Sequence, residues 1–195
     1  MKKIKLALVG LVLIVSYNCK EVKKEATEAA DDVEAAVDDM KEEVNIETIK
    51  FKMEPKSDSN VQGEVTFTQE NGEVTMMGTF TGLTPGEHAI HIHETADCSS
   101  ADGKSAGGHW NPTNQPHGKW GAAEGYHKGD IGNFTADADG NGTVSLTTSE
   151  WCIGCGDTNK DILGRAVIVH QGTDDYTTQP TGDAGGRVSC TGIIK

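Results

Sequence analysis

The sequence predicts an all-β domain of eight short strands, arranged as a sandwich or barrel, over residues 46–195. Three observations carry this reading. Apolar and polar residues alternate with period two in one segment after another. Turn-forming pairs recur between those segments. The chain also holds 24 glycines against only 5% aromatic residues, a balance that suits many turns and short strands and does not suit a helical bundle.

The strands follow in order. Residues 47–53 form the first. In the second, Val61, Gly63, Val65 and Phe67 alternate with Gln62, Glu64, Thr66 and Thr68. Asn71-Gly72 then signals a tight hairpin, and Val74, Met76, Gly78 and Phe80 resume the alternation in the third. Thr84-Pro85-Gly86 marks a turn before a fourth strand at 87–93. Residues 131–136 and 143–148 flank Asp139-Gly140-Asn141-Gly142, and 165–170 and 187–193 complete the set. Two long stretches, 94–129 and 171–186, show no strand pattern. Loops of this length in a compact domain are usually functional or disordered, and both begin directly after a histidine, which favours function.

Ahead of the strands lie two different segments. Residues 1–18 read as an export signal: Lys2, Lys3 and Lys5 precede an apolar run from Leu6 to Val15 that is too short for an ordinary membrane span. Ser16-Tyr17-Asn18-Cys19 resembles a bacterial lipoprotein box, which implies lipid on Cys19 and an anchor in a membrane. Residues 19–45 then form an acidic stalk. Val22, Ala26, Ala29, Val33, Ala36 and Met40 recur at spacings of four and three, so the stalk is predicted to be helical, or disordered where that stripe buries too little. A fully helical stalk would span roughly 38 Å at about 1.5 Å per residue.

The net charge of −13 argues against nucleic acid, whose phosphates need cationic contacts. Cys98, Cys152, Cys155 and Cys190 remain once Cys19 is set aside, an even number in an exported chain. Disulfides are therefore expected, with three pairings open. A C-x-x-C such as Cys152–Cys155 can be redox-active, metal-binding or a local disulfide. No second C-x-x-C exists to complete a four-cysteine zinc site, so a local disulfide is expected here, with copper acquisition as the alternative.

Six of the seven histidines fall into an ordered pattern: His91-x-His93, His109-x7-His117, His127-x2-Asp130 and a single His170. Neutral imidazole is the commonest protein ligand for copper and zinc. Six imidazoles and a carboxylate exceed the needs of one tetrahedral ion and suit two adjacent ones. On a strand, residues two apart share a face, so His91 and His93 point together while Ile90 and Ile92 enter the core. His88 falls on the opposite face and is assigned no metal.

Five blocks now resemble one family. Gly86-Glu87-His88-Ala89-Ile90-His91-Ile92-His93-Glu94, Ala106-Gly107-Gly108-His109-Trp110-Asn111-Pro112, His127-Lys128-Gly129-Asp130-Ile131-Gly132-Asn133, Gly164-Arg165-Ala166-Val167-Ile168-Val169-His170 and Gly182-Asp183-Ala184-Gly185-Gly186-Arg187-Val188-Ser189-Cys190 are similar to the copper–zinc superoxide dismutases. The resemblance spans about residues 47–195. It implies an eight-stranded Greek-key barrel or sandwich that dismutes superoxide to dioxygen and hydrogen peroxide with a redox-cycling copper beside a structural zinc. It implies copper on His91, His93, His109 and His170, and zinc on His109, His117, His127 and Asp130, with His109 bridging and taking part in proton transfer. It further implies that Asp174 links ligands of both metals, that Cys98 pairs with Cys190, and that Arg187 attracts the anionic substrate. A homodimer is compatible with the family, and protection of the cell envelope follows from the export signal.

One departure stands out. The loop 171–186 carries no Lys or Arg, although many members have a steering lysine there. Steering is therefore expected to rest on Arg187, helped by Lys119 or Lys128. A lipoprotein that merely buffers metal would have no need of Arg187, and a purely adhesive role would rest on the stalk alone.

Overall fold

The computed structural model describes residues 45–195. The signal, Cys19 and the stalk up to residue 44 lie outside the described residues. Eight strands form a closed antiparallel barrel: β1 Glu47–Pro55, β2 Gln62–Glu70, β3 Glu73–Thr81, β4 Gly86–His93, β5 Gly132–Ala136, β6 Gly142–Thr148, β7 Ala166–His170 and β8 Arg187–Gly192. Their order around the barrel is β1-β2-β3-β6-β5-β4-β7-β8. The neighbours β3–β6 and β4–β7 are not consecutive in the chain, which makes the topology a Greek key. Glu54 opposite Cys190 and Pro55 opposite Ser189 close the ring.

The alternation in the sequence maps onto the two faces. Val65 and Phe67 on β2 and Val74 and Met76 on β3 are fully buried, whereas Glu64, Thr66 and Thr68 lie outside the core. Burying one such side chain contributes about 1.5–3 kcal/mol, so a one-residue slip in register would be strongly opposed. The β2–β3 hairpin turns at Asn71 and Gly72, whose φ values of 52° and 80° are both positive, as a two-residue type I′ turn requires.

β4 departs from this pattern because it is buried on both faces from His88 to His93. Ile90 and Ile92 fill the barrel interior. His91 and His93 point outward and are covered by the two long loops. The first loop is laid on β4 by main-chain bonds: Ile92 N–H to Gly129 O at 2.9 Å, and Trp110 N–H to Ile92 O at 2.9 Å. His109 sits opposite His93 in an isolated bridge. The second loop is tied by Ala89 N–H to Gly172 O at 2.8 Å. The Cys98–Cys190 disulfide joins the first loop to β8.

Candidate metal centre

β4 supplies His91 and His93 two residues apart on its outer face. His170 arrives from the end of β7, at a register irregularity between Val169 and His170 that sets it opposite Arg187. His109 comes from the first loop. One donor atom from each of these four buried imidazoles lies within 4.8 Å of the others. His109, His117, His127 and Asp130 form a second buried group of the same tightness. His109 belongs to both.

The hydrogen bonds decide which nitrogens are free. His93 Nδ1 donates to Gly107 O at 3.0 Å, and His170 Nδ1 faces Gly185 O at 3.5 Å. Both Nε2 atoms are then unprotonated, yet they stand 3.3 Å apart. Two lone pairs at that distance repel unless a cation lies between them. His91 Nε2 donates to Asp174 at 2.8 Å, which leaves His91 Nδ1 buried without a partner. His109 Nδ1 meets Asp130 at 2.8 Å, and its Nε2 is also buried without a partner. Each orphaned polar atom costs about 1–3 kcal/mol. A bound metal satisfies all four nitrogens at once, so the residues fit one.

In the second group Asp130 is the hub. Its Oδ1 lies 2.8 Å from His109 Nδ1 and 3.2 Å from His127 Nδ1, and its Oδ2 lies 3.0 Å from His117 Nδ1. Asp130 Oδ2 also accepts from the His127 and Gly118 amides at 2.8 and 3.1 Å. The His117 and His127 Nδ1 atoms lack a well-directed hydrogen bond despite this proximity. Three imidazoles crowding one carboxylate is the donor set of a borderline-soft divalent ion.

Protonation follows the same division. Burial, with help from neighbouring imidazoles and Arg187, pushes His93 and His170 well below the ordinary histidine range. Burial also lowers His91, and takes His109 down to about 4. These are neutral imidazoles at pH 7, the form that binds metal. Burial pushes His117 down as well, but the Asp130 and Asp174 carboxylates outweigh it and raise it to about 9. Burial opposes ionisation of those two carboxylates too; the imidazoles around them nevertheless hold both well below the usual range. Without metal His117 therefore carries a proton at pH 7, and a cation bound in the second group would displace that proton and take its place beside the two carboxylates.

Asp174 connects the two groups. It accepts from His91 through Oδ2 at 2.8 Å and from His117 through Oδ1 at 2.9 Å. Asn133 clamps its main chain with two bonds of 2.8 Å. Gly182, at φ 71°, passes so close that a Cβ there would stand 1.9 Å from Asp174 Oδ1. Only glycine leaves the carboxylate room.

Beside the first group opens a cavity of about 320 Å³, lined by His93, His170, Arg187, Asp102, Lys104 and Thr181 among others. The Arg187 guanidinium donates to Gly103 O at 2.8 Å and to Gly107 O at 2.7 Å, so its head is fixed from the first loop. Burial lowers its pKa, partly offset by Asp102, but a guanidinium starts high enough to stay charged. The expected auxiliary lysines lie outside the cavity wall. Lys128 is paired with Glu150, and Lys119 sits 6.0 Å over the Tyr176 ring; neither lines the cavity. The lysine that does is Lys104, 2.9 Å from Asp102. The sequence reading missed it because its pairing with the cavity depends on where the Lys104–Ala106 3-10 turn is carried.

His88, assigned no metal from the sequence, lies in neither ligand group. It is buried on the core side of β4, and its Nδ1 donates to the carbonyl of His170 at 2.8 Å. It holds the main chain of a candidate ligand without being one. Cys98 and Cys190 are joined, and so are Cys152 and Cys155.

A Greek-key barrel with two adjoining buried ligand groups that share one imidazole, next to a cavity floored by a fixed arginine, defines a binuclear metalloprotein that admits a small anion. Residues 61–194 match the family described as Copper/zinc superoxide dismutase (SODC). The chain belongs to that family: it is an oxidoreductase, its cofactors are copper and zinc, and its substrate is superoxide.

Proposed function

We propose that His91, His93, His109 and His170 hold copper, that His109, His117, His127 and Asp130 hold zinc, and that the protein protects the cell envelope from superoxide. The observation that carries the assignment is His109, whose Nδ1 faces Asp130 while its buried Nε2 is left free for the other group. When bound, copper supplies reversible one-electron exchange, and zinc, which keeps one valence, supplies fixed positive charge.

The chain's own residues do the rest. One superoxide gives up its electron and leaves as dioxygen. The next takes that electron and two protons and leaves as hydrogen peroxide. Arg187, held by the Gly103 and Gly107 carbonyls, offers fixed positive charge where each anion docks. His109 Nε2 would carry one of those two protons to the outgoing peroxide when it is not held by the metal, and water would supply the other. Asp174 and the Gly107 and Gly185 carbonyls fix the ring orientations, so little reorganisation accompanies turnover.

Superoxide decay is measured with the protein carrying copper and zinc, and again with zinc alone. Copper-dependent decay approaching about 10⁸–10⁹ M⁻¹s⁻¹ is expected. A rate no better than that of free copper, with both metals bound, would end the catalytic reading.

The envelope setting is supported by the signal-like residues 1–18, the box ending at Cys19, and two disulfides, which suit an oxidising compartment. Cys19→Ser is expected to move the protein from the membrane to the soluble fraction of the producing cells. Unchanged membrane association of that variant would exclude a lipid anchor on Cys19.

A further inference from the structure

The loop between β6 and β7 carries a third group of metal-ligating side chains that the catalytic centre does not use. One donor atom each from Cys152, Cys155 and Asp161 lies within 4.8 Å of the others. Their frame is built without the sulfurs. Trp151 and Ile153, on either side of Cys152, are buried. The Trp151 indole N–H donates to Lys128 O at 2.9 Å, and the Ile153 amide donates to Gln69 Oε1 at 2.7 Å. Cys152 N–H bonds to Lys160 O at 2.9 Å and Ile162 N–H returns to Cys152 O at 3.1 Å, setting Cys152 beside Asp161. The Asp161 carboxylate accepts from the amides of Gly154, Gly156 and Leu163 at 2.9–3.1 Å. The loop therefore stays closed around the two sulfurs whether or not they are bonded to each other.

We propose that Cys152, Cys155 and Asp161 form a third metal site, opened by a dithiol and taking a thiophilic cation such as Zn(II) or Cu(I). In the structure the two sulfurs are joined as a disulfide. Cys155 is exposed, so a dithiol reaches its sulfur. The dithiol gives two electrons and two protons, becomes a disulfide itself, and leaves Cys152 and Cys155 as thiols. The incoming cation displaces both thiol protons and binds two thiolates and the carboxylate.

The surroundings favour a cation over simple thiol–disulfide catalysis. An attacking thiolate is usually stabilised by a helix N-terminus or by cationic neighbours. Here the Asp161 carboxylate lies within 4.8 Å of both sulfurs and opposes thiolate formation, while the Lys195 ammonium near Gly154 is already paired with Glu47. A cation between the sulfurs and Asp161 removes that penalty. Three protein ligands leave a position open, so the site suits exchange of metal more than permanent storage.

The test uses the protein already loaded with copper and zinc, treated anaerobically with a dithiol, freed of reagent and titrated with Co(II). The reduced protein is expected to bind one additional equivalent with a thiolate-to-cobalt charge-transfer band; the unreduced protein and Cys152→Ser/Cys155→Ser are expected to bind none. Asp161→Asn, whose carboxamide oxygen can still accept from the Gly154 and Leu163 amides while only the Gly156 bond is lost, should weaken that binding about tenfold or more. No additional equivalent in the reduced protein overturns the proposal. So does an equivalent that survives in the double variant, because other sulfurs would then hold it. Undiminished binding by Asp161→Asn removes the carboxylate and with it the site as proposed. None of these readings depends on superoxide decay, so their failure leaves the catalytic assignment untouched.

Discussion

Asp174 accepts ring protons from His91 and His117, one from each ligand group, through its two oxygens. That double role sets a ring tautomer on both sides at once, leaving His91 Nδ1 and His117 Nδ1 as the nitrogens turned toward the groups. Asp174→Asn keeps the size but turns one acceptor into an NH₂ donor facing a ring N–H. Metal affinity is expected to fall about 10–100-fold, the usual consequence of losing such a partner. Competition against a chelator measures it, with the exposed neighbour Asp175→Asn as control. Affinity retained in Asp174→Asn would show that the rings are oriented by packing alone. The histidines gathered into the two groups were legible, because H-x-H on a strand fixes a shared face and the remaining spacings are ordered. His88 was not. Its bond to the His170 carbonyl depends on β4 and β7 being neighbours, and residues 82 apart carry no local sign of that.

At the scale of elements, β2 and β3 were legible because period-two alternation is a direct image of a half-buried sheet, whereas β7, buried at every residue, showed only as a short apolar run. β4 shows the limit of that signal. Its outer face holds histidines buried by loops rather than residues meeting water, and only the chemistry of those histidines announced it. The barrel order was not written in the alternation, since the β3–β6 and β4–β7 contacts are made across crossovers; the resemblance implied a Greek key and no more. The disulfides act on different scales too. Cys98–Cys190 closes a sequence separation of 92 residues and Cys152–Cys155 one of 3. Chain entropy alone makes the first worth about 4–5 kcal/mol and the second about 2 kcal/mol. The long link also holds the first loop against β8, where Arg187 meets the Gly103 and Gly107 carbonyls, so it supports the anion cavity as well as the fold. The short link closes a loop that the Asp161 carboxylate already ties to the Gly154, Gly156 and Leu163 amides.

For the whole molecule the question is how a chain of net charge −13 admits an anion. A local field can outweigh net charge when it is focused by a cleft. Here the cavity wall holds Arg187 and Lys104 against a single acid, Asp102, which its bonds from Lys104 hold at about 2. Lys104 is exposed, whereas Arg187 is held by two carbonyls, so on the proposed reading the two act differently: Arg187 would dock the anion and Lys104 would tilt the approach. A single charge roughly 10 Å from the path changes a diffusional rate about twofold in water. Lys104→Ala is therefore expected to lower kcat/KM about twofold at low ionic strength, and Asp102→Asn to raise it by a similar factor. Both differences should fade as salt shortens the screening length from about 10 Å toward about 3 Å, while the loss in Arg187→Ala persists because docking is a contact effect. The wild-type rate itself should fall with salt despite the negative net charge. Stopped-flow superoxide decay across an ionic-strength series reads all of these. A wild-type rate that rises with salt would mean that the global negative charge dominates and that the cavity does not steer its substrate.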